Sequence, residues 1–260
     1  MKKIIHKHKY IFAYICTILL LLLPPICLSD NFIYAITNTS DIKTVLQFIF
    51  ANKTFKDLPE LATFLKFLNC FFLSLFFFYN KIKKYFNIYV FTYMLFITFT
   101  QNVAYIKDYG FVISCGSFLL MFITCIIWLV KIKKEHYEIT VNKHHLWLLI
   151  PMLLCIWYPL DKNAQFEFAL NPIQHYFSSS MYCFNMPIFL SFLLIFYKNN
   201  KGVFYEVVAL IGLLFGFVAF FVNLTYKSGI PNAIMHIPLI IVSATLFINS
   251  IIDRTKKQKS

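Results

Sequence analysis

Two of the seven histidines, His175 and His236, fall inside long apolar runs. An ionisable side chain is costly there and reads as functional by default. Imidazole in such a place can pass a proton, ligate a metal or bond a polar ligand. His175 belongs to the stretch NPIQHYFSSSMYCFNMP, residues 171 to 187. On a helix, His175, Ser178, Ser179, Tyr182 and Asn185 share an arc of about 120°. Asn171 can cap that helix, and Pro172 suits its first turn. Pro187 removes a backbone donor and frees the Cys183 carbonyl near Asn185. His236 lies in PNAIMHIPLIIVS, aligned with Asn232 and Ser243, and Pro238 frees the Ile234 carbonyl beside it.

Other polar groups fall at matching depth. Gln101 and Asn102 close the run ending TFTQNVAYIKD, and Asn223 closes the run containing GLLFG. In the latter, Gly212, Gly216 and Ala219 share a face about 60° wide. Such small-residue faces mark close helix contact. The ligand-facing set is therefore Gln101, Asn102, His175, Ser178, Ser179, Tyr182, Asn185, Asn223 and His236. The competing reading makes the same side chains a polar seam by which helices hold each other.

Three functions use these residues differently. The first is binding or transport of a small or lipid-like molecule through an outward-facing polar pocket. The second is a membrane-embedded lipid-modifying enzyme, with His175 and His236 as acid/base groups or metal ligands and Asp161 or Asp108 orienting them. The third is a non-catalytic subunit that meets a helix partner through the Gly212/Gly216 face. No His-Glu-x-x-His, nucleophile elbow or phosphate loop is present, and no ligand spacing supports a metal site. The seven cysteines lie in or beside apolar runs without a C-x-x-C pair, as buried apolar residues do. Nothing in the sequence names a cofactor.

What positions these groups follows from composition. Hydrophobic residues make up 60% of the 260 and charged residues 13%, with a mean hydropathy of +0.69. A soluble domain carries about 25% charged residues. The composition points to an all-α, polytopic transmembrane bundle in contact with the lipid bilayer. Eight spans are expected, near 10–28, 59–79, 86–106, 110–130, 146–160, 173–197, 203–223 and 232–252. Residues 1–260 form one integral membrane domain. The loop 29–58 is extracytoplasmic and includes DIKTVLQFIFANKTF, a short helix for the outer membrane surface.

Charge sets the orientation. The net charge of +13 sits in short Lys clusters between apolar runs, which argues against nucleic acid as a partner. With alternating spans and a cytoplasmic N-terminus, 17 of the 24 basic residues fall on the cytoplasmic side. That asymmetry places both termini inside a cell membrane. The first 30 residues also carry the parts of a signal peptide, whose removal would leave seven spans.

Overall fold

The computed structural model of the chain describes residues 2–28, 33–51, 59–78, 83–107, 109–134, 141–157, 159–160, 165–166, 181–196, 203–225 and 229–259. His175, Ser178, Ser179, Asp161 and Asp108 lie outside them. The described residues are mostly helical. In chain order the elements are α1 (Lys2–Leu21), β1 (Ile26–Leu28), β2 (Ile33–Ala35), α2 (Thr39–Ala51), α3 (Pro59–Phe78), α4 (Lys83–Asn102), β3 (Val103–Ile106), β4 (Gly110–Ile113) and α5 (Cys115–Lys134). A 3-10 turn (Lys143–Leu148) then leads into α6 (Leu149–Trp157), followed by α7 (Tyr182–Phe196), α8 (Val203–Thr225), α9 (Gly229–Ile234) and α10 (Ile237–Lys259).

Two segments, Val203–Thr225 and Gly229–Thr255, are long and apolar enough to cross a membrane. At 1.5 Å per residue, α8 exceeds the ~30 Å of a bilayer core. Shorter apolar helices lie at Tyr10–Leu21, Cys115–Val130, Lys143–Trp157 and Tyr182–Phe196.

The expectation of an all-α chain needs correction. A four-stranded antiparallel sheet in the order β2-β1-β4-β3 takes the ends of three expected spans. The run 86–106 divides into α4 and β3, 110–130 into β4 and α5, and 10–28 into α1 and β1. The reason is local. VAYI and GFVI are rich in β-branched and aromatic residues, which fit a pleated surface better than a helix. Ile106 pairs with Gly110 at the end of the β3–β4 ladder. Gly110 has φ +73°, a left-handed conformation that closes such hairpins readily only with glycine.

The helix expected in the 29–58 loop is α2. The Asn38 side chain accepts from Ser40 N at 3.2 Å, and its carbonyl accepts from Ile42 N at 2.9 Å, so Asn38 caps it. Its apolar face, Val45 and Ile49, packs on Cys27, Ala104, Ile106 and Val112 of the sheet. That face is therefore turned toward the sheet.

At the centre of the bundle is α7. All fifteen of its residues are buried. A helix that is apolar on every side belongs inside other protein. It touches α4, α6, α8 and α10. Aromatic pairs join it to α4: Phe86 with Phe192 at 4.6 Å, and Tyr93 with Phe189 at 5.8 Å between centroids.

Glycines set two close helix approaches. A Cβ at Gly116 would fall 2.7 Å from the Leu21 carbonyl oxygen and 2.8 Å from that of Leu20, so α5 begins directly against the end of α1. A Cβ at Gly216 would fall 2.7 Å from Ile240 Cγ1, and one at Gly212 would strike Ser243. The Gly212/Gly216 face is thus filled by α10 of the same chain.

Candidate functional site

Polar side chains collect at the end of the bundle that carries the sheet. Gln101 Oε1 accepts from the backbone N–H of Tyr182 at 2.8 Å. The first four N–H groups of a helix have no partner within it, so Gln101 caps α7 from a helix 81 residues away. Asn102, the last residue of α4, donates through Nδ2 to the Thr98 carbonyl at 2.8 Å and accepts from the Ser117 hydroxyl. It also takes Ser114 N on its own carbonyl, at 3.0 Å. Both residues expected to face a ligand therefore hold elements in place.

His236 marks the break between α9 and α10. Pro238 cannot donate to the Ile234 carbonyl, and the chain closes instead through His236 N to Ala233 O at 3.0 Å. The imidazole is 4% exposed and stacks on Phe184 with centroids 5.2 Å apart. Asn223 Nδ2 has two hydrogens. One goes to the Ala219 carbonyl at 2.7 Å, the other to His236 Nε2 at 3.1 Å. Asn223 Oδ1 accepts from Asn232 Nδ2 at 2.6 Å. With the amide so assigned, Nε2 is the acceptor, which puts the imidazole proton on Nδ1.

These contacts link the described candidates. Tyr182, capped by Gln101, lies against Phe215 of α8 at 4.9 Å, and Phe184, two residues on, stacks on the His236 ring. Asn185 Nδ2 turns back to the Met181 carbonyl at 2.8 Å. Phe184, His236, Asn223 and Asn232 thus come together where α7, α8, α9 and α10 approach, while Gln101 and Tyr182 link α4 to the start of α7. Among the described residues, no group of three His, Cys, Asp or Glu side chains is placed to hold a metal ion.

The chain matches no family model, no curated protein and no solved structure.

The opposite end holds a cluster that the sequence reading passed over. Glu206, in the first turn of α8, is 0% exposed. Its Oε2 accepts from the Tyr14 hydroxyl of α1 and from Arg254 Nη1 of α10, the latter at 3.1 Å. Arg254 also lies over the Tyr10 ring, 3.9 Å from its centroid. Glu206 Oε1 is buried without a hydrogen-bond partner among the described residues. One signal was present in the sequence: Arg254 is the single arginine among 24 basic residues. Arginine is the residue of choice for a buried ion pair stacked on an aromatic ring.

At the same end, His145 Nε2 faces Asn249 Nδ2 at 3.1 Å, joining the 3-10 turn to α10. Burial pushes the His145 pKa down from its ordinary 6.5, and His144 adds to the shift. The folded chain thus favours the neutral ring, whereas the unfolded chain binds a proton more readily. The contribution to stability is full above pH 6.5 and is lost as the pH falls through the lower, folded value. Melting curves of purified protein should show a drop in midpoint on acidification from pH 7.5 to about 5. His145→Gln should make that drop smaller; an unchanged pH dependence would remove His145 as its source.

Proposed function

We propose that the chain is a multi-pass protein of the cell membrane, of about eight spans with both termini cytoplasmic. Its role in this reading is to bind or carry a small or lipid-like molecule through a polar pocket open at the sheet end. Support for the membrane placement comes from the apolar helices and from lysines that alternate between the connections.

The observation that carries the ligand reading is the Asn232–Asn223–His236 chain on the Phe184 ring. Close helix packing needs small residues and one or two cross-helix bonds. It does not need a buried imidazole with two amides orienting it. An oriented imidazole beside an aromatic face offers a polar contact and an apolar wall to the same ligand.

The test uses whole protein purified into lipid nanodiscs, with native mass spectrometry of whatever co-purifies. Wild type should carry a bound molecule that His236→Ala and Asn223→Leu lose, while circular dichroism stays helical. Equal occupancy in all three proteins, or none in wild type, would sink the ligand reading. A fall in melting temperature alone would assign the cluster to packing.

A further inference from the structure

The small sheet has two unlike faces. Cys27, Ala104, Ile106 and Val112 are buried against α2. The register defines what lies on the other side. One ladder reads Ile33, Leu28, Phe111, Tyr105, and the next reads Ala35, Ile26, Ile113, Val103. None of the eight is charged and none is buried. Ile33 is 73% exposed, Tyr105 64% and Phe111 55%. Tyr105 and Phe111 form an edge-on ring pair at 5.3 Å.

This face has polar and apolar neighbours in a definite order. The far side of α2 exposes Ser40, Lys43 and Thr44, so the α2/sheet layer is wet on one side and apolar on the other. Exposed apolar residues also stand in the helix ends that lead into the sheet. Phe99 of α4 is exposed four residues before Val103 and packs edge-on against Phe118 of α5 at 5.3 Å. Leu19 and Leu22, also exposed, lead from α1 toward β1. An exposed apolar patch without charged side chains of its own marks an interaction site.

We propose that this sheet face is a membrane-binding surface. It beds in the headgroup–acyl boundary of the leaflet at the sheet end, with α2 on the water side. The proposal rests on the reading of the helices as membrane spans. Backbone groups along the outer strands of the sheet can reach water at that depth, which they could not in the hydrocarbon centre. The amphipathic Tyr105 ring suits the same level.

Carbene footprinting tests this on the whole protein in phosphatidylcholine–phosphatidylglycerol vesicles. One diazirine is carried on a lipid acyl chain near the glycerol; a second is water-soluble. Phe217 of α8, exposed on a helix long enough to span, is the lipid reference, and Lys43 of α2 is the water reference. Expected is labelling of Ile33, Tyr105 and Phe111 by the lipid-borne reagent and its loss in Phe111→Glu, with Phe217 labelled in both. If Phe217 is labelled from lipid but the sheet face only from water, the proposal is overturned and the face is left for a protein partner. Labelling of that face by neither reagent also overturns it. An unlabelled Phe217 would instead defeat the membrane reading beneath it.

Discussion

Arg254→Leu should destabilise the purified protein by about 3–5 kcal/mol, the range for breaking a buried ion pair from one side. Among the described residues the substitution leaves Glu206 with no cation, and its carboxylate is fully buried. The size comes from that stranded charge more than from the lost attraction. Desolvation of both ions largely offsets their Coulomb energy while the pair is intact. Two consequences separate this account from a generic packing defect. The double variant Glu206→Leu/Arg254→Leu should be more stable than Arg254→Leu alone, because it removes the uncompensated carboxylate. Arg254→Lys should fall between wild type and Leu, since an ammonium keeps the charge but not the planar stack on Tyr10. Chemical unfolding in detergent, read by circular dichroism, supplies the comparison as a double-mutant cycle. A loss below about 0.5 kcal/mol for Arg254→Leu would mean that the pair behaves like an exposed one.

Replacing Gly212 and Gly216 together with leucine should cost about 2–6 kcal/mol, taking ~1–3 kcal/mol for each overpacked site. At Gly216 a Cβ alone would already lie 2.7 Å from Ile240 Cγ1 and 3.4 Å from Ile240 N, so a leucine there must displace the helix itself. At Gly212 the obstruction is Ser243, whose Cβ would lie 3.2 Å away. Between them these contacts set how near α8 and α10 can lie. The expected readout is a lower melting midpoint accompanied by disruption of the Asn223–His236 contact, which joins the end of α8 to the residue just before α10. Histidine ring signals in NMR would report that contact. Unchanged stability in the double variant would show that α8 and α10 are not held at this distance.

Much of the helical layout was legible because it depends on local properties. The expected span 203–223 corresponds to α8 within two residues, and 59–79 corresponds to α3 within one. Apolar runs of helical length and the prolines that interrupt them are properties of neighbouring residues. The sheet was harder to see for a related reason. VAYI and GFVI are as apolar as the helices they extend, so hydropathy alone merges them into the spans. The turn around Gly110 was the available signal.

Side-chain roles were less legible than side-chain positions. Gln101 stood out as a polar residue at the end of a span, yet its partner is the first N–H of α7. Asn223 stood out at the end of α8, and the structure surrounds it with His236 and Asn232. Glu206 falls in the first turn of the expected span 203–223 without any marked partner, and only the fold pairs it with Arg254 away from water.

The sequence by itself determined the apolar class and the places of most helices. Those follow from transfer free energies and from the 3.6-residue period, which act over a few turns. Tertiary structure decided which polar groups meet. Tyr14 and Glu206 are 192 residues apart, Glu206 and Arg254 are 48, and Gln101 and Tyr182 are 81. No local preference encodes such pairs. They are set by which helices touch and at what distance, and here two glycines of α8 and the fully enclosed α7 determine much of that geometry.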